Sequence, residues 1–343
     1  MSIGRIGVVG VGAIGTIIGT ILNAKGIEVD LIDGYDENVK HLKQHGSEVI
    51  GSIHVKARGP AYHIDELKHR YDLIFLLVKQ FENETVLRKL LPHLHERSLV
   101  CTLQNGVPEV HVAKIVGEHR TIGGAVGFGA TWMGPGVSML ASSKEALEKY
   151  AFEIGTLNGE INERILEVNT ILQQVGASIV SDNLMGIRWS KLLMNATFSG
   201  MSAALGCTFG EVMDDPRGFW SLVHLADETI KVAHAQGIRL VEMQGEHFDV
   251  LELKEGTPQE VLGKYPFFRR VWDRHRDTKA SMLQDLEKGR TTEIEYINGT
   301  VSEKGREYGI PTPYNDKVIE LVKRKEKRKE VRTFDYIEEF LKL

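Results

Sequence analysis

The chain has 343 residues, 42% hydrophobic and 26% charged, with a formal net charge of −5. That length suggests two domains, and the composition is that of a globular protein with ample material for a core. The mild acidity gives a nucleic-acid role no support.

The first element is the stretch RIGVVGVGAIGTIIGTIL, Arg5 to Leu22, seventeen uncharged residues after one arginine. A membrane span needs about 18 or more continuous apolar residues. This run is shorter and carries five glycines, which are poor helix formers. It ends at the polar LNAKG without the small-x-small pattern of a cleaved leader, so neither an anchor nor an export signal is expected. A third reading uses every glycine. RIGVVG is a short buried strand; Gly10, Gly12 and Gly15 form G-x-G-x-x-G; TIIGTILNAKG is a helix; EVDLID is a second strand ending at Asp33, 23 positions past Gly10. In that order the motif predicts a dinucleotide site of the Rossmann kind. Gly10 permits the tight turn, Gly12 lets backbone approach a pyrophosphate, and Gly15 lets helix and strand pack. Val11, Ala13 and Ile14 complete the loop, and the helix amino end supplies N–H donors.

The chain then continues to alternate. A helix near ENVKHLKQHG precedes a hairpin through SEVIGSIHVKA. YDLIFLLVK is a near-continuous apolar run, as a parallel strand covered on both faces requires. The helix ENETVLRKLLPHL, the strand RSLVCTLQNG and two glycine-rich strands joined at MGPG follow, then a helix around ERILEVNTILQQVG and the strand ASIVS. This predicts an α/β doubly wound sheet over residues 1–182. From Asn183 the pattern becomes helical: 183–205, 217–237, a long segment through 258–289, 293–308, 314–330 and 334–342. An all-helical domain over 183–343 is expected, with the two domains sharing a cleft suited to a ligand. The basic run Lys323 to Arg332 is interrupted by Glu326 and Glu330 and reads as the solvated end of a helix. Cys101 and Cys207 form no CxxC or zinc spacing, and the thirteen histidines contain no HExxH pair, so no metal is expected. Free thiols and no leader fit a reducing cytoplasm.

Four places hold polar groups stranded in apolar surroundings. In RWSKLLMNATFSG, Lys191, Asn195 and Ser199 are spaced i, i+4, i+8 on one helix face, beside Trp189, Leu192, Leu193, Met194 and Phe198. A lysine there is poised for a lowered pKa or for bonding a developing oxyanion; one snorkelling from an amphipathic helix gives the same spacing. Asn105, in TLQNG, ends a strand at the edge where such sheets bind ligands, or is an ordinary Asn-Gly turn. Glu293 and Asn298 follow GRTT, where a capping box would give Glu293 a structural role. Lys79 ends LLVKQ at a strand tip and faces cofactor or solvent.

Together GxGxxG, LLVK, LQNG, GPG, KLLMNATFSGMSAAL, SMLQDLEKGRTTEIEYINGTV and GIPTPYN with LVKRKE resemble the 2-dehydropantoate 2-reductases, or ketopantoate reductases, from about residue 5 to residue 326. The resemblance implies a Rossmann domain plus a helical domain, and a reductase converting 2-dehydropantoate to pantoate with a nicotinamide cofactor. It implies Lys191 as general acid, with Glu293 and Asn195 binding substrate and Ser281 contacting its carboxylate. Asn105 would lie by the nicotinamide and the lysine, touching both substrate and cofactor, and Lys79 near the cofactor; Glu293 is counted as catalytic with Lys191 and also with the cofactor.

Ser199 and Phe209 stand where the best-known branch carries asparagines, so a different or looser substrate fit is expected. Ser199 remains a substrate-binding candidate. The segment 243–275, rich in Phe, Trp, Arg and His, is longer than in compact relatives. Gly34 stands where an arginine suited to the NADP phosphate is often found, after Asp33, whose carboxylate favours ribose hydroxyls and repels a 2′-phosphate. NAD(H) is therefore expected over NADP(H). The strand end LIDG also resembles NAD-dependent D-2-hydroxyacid dehydrogenases of the D-mandelate type, which makes an enzyme for bulky acids the second reading. A non-catalytic NAD(H)-binding regulator is the third, and the stranded Lys191, Asn195 and Glu293 argue against it. The expected partners are a small 2-oxo acid and a second copy in a homodimer, with neither nucleic acid nor membrane.

Overall fold

The computed structural model describes residues 3–243 and 245–343. The chain divides into two compact units, one running up to Gln104 and including Pro108–Leu184, the other made of Asn105–Val107 and Met185–Leu343.

The first unit runs β1 (Ile6–Val9), α1 (Ala13–Ala24), β2 (Val29–Asp33), α2 (Asp36–His45), β3 (Ser47–Gly51), β4 (Val55–Ala57), β5 (Ala61–His63), β6 (Tyr71–Leu76) and α3 (Asn83–Leu90). It continues through β7 (Leu94–Thr102), α4 (Glu109–Val116), β8 (Thr121–Val126), β9 (Ala130–Gly134), β10 (Val137–Leu140), α5 (Lys144–Tyr150), β11 (Phe152–Thr156), α6 (Glu163–Leu172) and β12 (Ser178–Val180). Eight strands form one sheet in the order β12-β11-β8-β7-β6-β1-β2-β5. Its pairings are parallel except that of β11 with β8.

The expected pair of glycine-rich strands joined at MGPG needs correction. There are three strands. β8 lies in the main sheet, whereas β9 and β10 turn at MGPG and join a second sheet, order β4-β3-β10-β9. Helix α1 packs on β1 and β2 and also on every strand of that second sheet. Gly15 to Leu22 are consequently all buried, and a helix covered on every side is apolar on every side. This is why the amino-terminal run resembles a membrane segment. Among the described residues no helix is long and apolar enough to cross a membrane.

The second unit contains α7 (Leu184–Met194), a π-helical stretch Asn195–Ser199, α8 (Gly200–Leu205), α9 (Phe209–Asp214), α10 (Pro216–Ala235), α11 (Pro258–Gly263) and α12 (Tyr265–Trp272). Then come α13 (Ser281–Glu287), a 3-10 turn Ile294–Tyr296, α14 (Asn298–Tyr308), α15 (Pro313–Arg328) and a closing 3-10 helix Phe334–Lys342. The continuous helical segment expected over 258–289 is in fact three short helices. Pro258 and Pro266 sit in the first turns of α11 and α12, where a missing N–H costs nothing but a through-running helix could not pass. Helix α10 is the spine; it packs on α9, α14, α15 and the π-helical stretch. Leu222, Val223, Leu225, Ala226 and Ile230 on it have no exposed surface, and burying one large aliphatic side chain contributes about 1.5–3 kcal/mol.

The basic run closes α15 with Lys323, Lys327, Arg328 and Lys329 exposed, as expected, and one of its residues departs from that reading. Lys325 is completely buried, not solvated, and its Nζ donates to the carbonyls of Ala204 at 3.4 Å and Val331 at 2.7 Å. Around it Arg324 pairs with Glu320 and Glu339.

Candidate active site

In the first unit the glycine-rich turn is shaped by close approach. Gly10 has φ +91°, a conformation that L side chains rarely adopt, and a Cβ there would lie 2.6 Å from the Val78 nitrogen. A Cβ on Gly15 would lie 2.1 Å from the Gly10 carbonyl oxygen, whereas one on Gly12 would meet nothing within 4 Å. The turn therefore needs glycine at 10 and 15 to exist. At 12 it leaves open space beside the amino end of α1, where the first N–H groups lack intrahelical acceptors and no side chain caps them. That opening suits the pyrophosphate of a dinucleotide, so the residues fit such a cofactor.

Asp33 is half-buried at the end of β2. Its Oδ2 accepts from the Val11 N–H at 2.8 Å and from Asn38 Nδ2 at 3.0 Å; its Oδ1 accepts from the Tyr35 N–H at 2.9 Å. The carboxylate thus braces the turn and keeps lone-pair capacity for a ribose hydroxyl. The Val11 N–H is spent on this brace. Asn38, absent from the sequence candidates, is buried and also donates to the Val11 carbonyl at 3.0 Å while its Oδ1 accepts from the Gly136 N–H at 2.8 Å. Its signal was a polar residue sharing a helix face with Leu42. Lys79 is half-buried just past β6. Nearby, buried Gln104 donates to the Val78 carbonyl at 2.5 Å and to Asn83 Oδ1 at 2.7 Å, and accepts from Thr102 Oγ1 at 2.9 Å. This network fixes the loops after β6 and β7, and sequence reading missed it.

In the second unit Lys191 lies in the last turn of α7. Part of the side chain reaches the surface, while burial of the ammonium, with the Arg188 guanidinium one turn earlier, pushes its pKa down to about 7. Arg188 itself is buried. Asn195 opens the π-helical stretch and Ser199 closes it; both are half-buried, whereas Ala196, Thr197 and Phe198 between them are buried. Sequence periodicity placed these residues on an ordinary α-helical face. The wider i→i+5 turn departs from that geometry, and such turns recur at functional sites. Helix α13, whose first residue is the exposed Ser281, packs on α8 and on the π-helical stretch. Half-buried Asn105 precedes Gly106, which has φ +76°, and belongs with the second unit.

Glu293 is buried just before the 3-10 turn and its side chain caps no helix, so the capping-box reading fails. Burial, and after it the Glu293 carboxylate, hold the Tyr296 phenol above its ordinary range. The aromatic substitution at Phe209 has a clear setting. Its ring lies 5.2 Å from that of Phe198, which in turn lies 5.8 Å from Phe268 and 4.7 Å from Trp272.

Residues 6–150 match the family described as ketopantoate reductase PanE/ApbA, and residues 183–326 match its C-terminal counterpart. A 2-dehydropantoate 2-reductase of Archaeoglobus fulgidus is 28% identical over 326 residues, covering 94% of this chain and 98% of that one. One from Lactococcus lactis subsp. lactis is also 28% identical, with 94% and 98% covered. Among solved structures, D-mandelate dehydrogenase with NADH and anilino(oxo)acetate is similar at TM-score 0.79 and 27% identity, covering 96% of this chain and all of that one. A PanE/ApbA family ketopantoate reductase from Ralstonia eutropha JMP134 has TM-score 0.80 at 22% identity, covering 95% and 99%, a likeness of fold. With both matched segments spanning most of its length, the chain belongs to the ketopantoate reductase family.

Proposed function

We propose that the protein reduces a branched 2-oxo acid, 2-dehydropantoate in the first place, to the 2-hydroxy acid, with Lys191 as general acid. The observation that carries this is the lysine itself. Its pKa is brought to about 7 on a helical run that also presents Asn195 and Ser199. A general acid works best with a pKa near the operating pH. When bound, a nicotinamide supplies the hydride. Lys191 bonds the ketone oxygen and gives it a proton as negative charge develops there. Asn195, Ser199 and Ser281 hold the carboxylate and hydroxyl end of the substrate. Glu293 orients the substrate, and Asn105 lies by the nicotinamide. Gly10 to Gly15 admit the pyrophosphate; Lys79 lies near the cofactor.

The cofactor preference we propose is NADH. The segment from Asp33 to Glu37 carries three carboxylates, at Asp33, Asp36 and Glu37, and no cation, which disfavours a 2′-phosphate. A second substrate reading is favoured by one observation, the ring of Phe209 against Phe198 where a hydrogen-bonding residue would suit a hydroxylated substrate. It supports a bulkier, mandelate-like acid, in keeping with the D-mandelate dehydrogenase likeness. The test is a panel of ketopantoate, 2-oxoisovalerate and phenylglyoxylate with NADH and with NADPH. Highest kcat/KM for ketopantoate with NADH is expected. A clear lead for phenylglyoxylate selects the second reading, and a higher kcat/KM with NADPH overturns the cofactor preference.

A further inference from the structure

We infer that Asn298 is a positioning residue that holds the π-helical register of Asn195–Ser199, an inference resting on the roles proposed above for Lys191, Asn195 and Ser199. A π turn carries an extra residue and is rare by itself, so something must hold it. Here the Gly200 N–H, which in an α-helix would bond the Ala196 carbonyl, is shared between the Asn195 and Thr197 carbonyls and passes Ala196 by. The Ala196 carbonyl accepts from Asn298 Nδ2 at 2.9 Å. The side chain of Asn298 thus takes the place of the backbone donor that the π register diverts.

Asn298 is itself held by a chain of buried groups. Its Nδ2 also donates to Asn315 Oδ1 at 2.9 Å, and Asn315 Nδ2 donates to Glu228 Oε2 at 2.8 Å. The Glu228 carboxylate further accepts from the Tyr314 N–H at 2.9 Å and the Asn315 N–H at 3.0 Å, in the first turn of α15. Both groups facing Asn298 Nδ2 are acceptors, so the orientation of its amide is fixed. The approach requires glycine opposite: a Cβ on Gly200 would lie 2.7 Å from Asn298 Oδ1.

The arrangement does not serve stability alone. Asn298 Oδ1 is buried with no hydrogen-bond partner, a condition that costs about 1–3 kcal/mol. An apolar side chain of the same shape would avoid that cost. It would also lose the donor to Asn315 Oδ1 and the donor to Ala196, the latter midway along the stretch that carries Asn195 and Ser199. Relaxation to α register would turn Ser199 relative to Lys191 by an angle on the order of tens of degrees.

The test uses full-length Asn298→Leu and Asn298→Ser. Leucine is close in shape and removes the orphaned acceptor; serine is too short to reach Ala196 and leaves a void. We expect kcat for the 2-oxo acid to fall about 100-fold in both, as for a misplacement near 1 Å, with KM for NADH unchanged. Thermal midpoints should fall in both but separate, less in the leucine variant, which relieves one orphaned acceptor while stranding the Ala196 carbonyl and Asn315 Oδ1, and more in the serine variant, which adds a void. A folded variant that keeps the parent's kcat, or a kcat loss that merely follows the loss of thermal stability, overturns the inference. A crystal structure of either variant gives a readout free of activity. Gly200 N–H bonded to Ala196 supports the assignment, and a retained bond to Asn195 sinks it. A parent that reduces no 2-oxo acid defeats the proposed function and leaves this structural readout standing.

Discussion

The glycine-rich turn of the first unit and the helical run of the second both carry proposed functional residues, yet they are built on opposite plans. In the turn, specificity comes from atoms that are missing: a Cβ at 10 or 15 would collide with backbone, and one at 12 would fill open space. In the run, it comes from atoms contributed at a distance, since the register under Asn195 and Ser199 depends on Asn298 and, through Asn315, on Glu228. Local sterics can be read from a short motif. A register fixed by a tertiary contact cannot.

The largest effect expected breaks or sharpens this contrast at Lys191. Lys191→Ala should lose about 10²–10⁴-fold in kcat, the usual worth of a positioned general acid, while NADH binding is unchanged. The pH profile gives the sign. Reduction uses the protonated lysine, so its kcat should fall as pH rises through about 7, and oxidation of the 2-hydroxy acid should rise through the same pH. The variant should lose both limbs. Near-parent turnover, or an unchanged profile, would remove Lys191 from its proposed role.

A smaller effect tests the turn by comparing two glycines that one motif treats alike. Gly12→Ala places its Cβ in open space, so thermal stability should be unchanged while NADH affinity falls about tenfold, or 1.4 kcal/mol. Gly15→Ala drives its Cβ onto the Gly10 carbonyl and should cost about 1–3 kcal/mol of stability. Calorimetry and NADH fluorescence titration measure the two. Parent-like NADH binding by the Gly12 variant would show that cofactor does not approach there.

The same division explains what could be read in advance. The order of strand, turn, helix and strand up to Asp33 was legible because each step rests on neighbouring residues, as was the change to helices after Asn183. The second sheet was not, because β10 pairs with β3 far back in the chain. Lys191, Asn195, Glu293 and Asn298 stand out in the sequence as polar residues in apolar surroundings, whereas Asn38 and Gln104, like the bond from Asn298 to Ala196, draw their meaning from partners in other elements. Asp33 fell between: its place at the strand end was predictable, its bond to the Val11 N–H was not.

The smallest effect concerns Lys325, the residue most misjudged from sequence. Its charge was read as solvated, and instead it binds two carbonyls inside the second unit. Lys325→Met removes a buried cation, which alone could stabilise, but orphans the Val331 carbonyl; the Ala204 carbonyl still accepts from Thr333 Oγ1 at 3.1 Å. One orphaned buried acceptor costs about 1–3 kcal/mol, so a modest net loss with unchanged kcat is expected. Burial pushes the folded pKa of Lys325 down to about 8 from 10.5. Between those values the unfolded chain holds the extra proton, so this residue makes stability rise with pH. The parent should therefore gain stability over the variant from about pH 8 to 10.5. Denaturant melts of both proteins across that range measure the difference, and parallel curves would mean that the lysine keeps an ordinary pKa and a wet surface, as its sequence neighbours suggested.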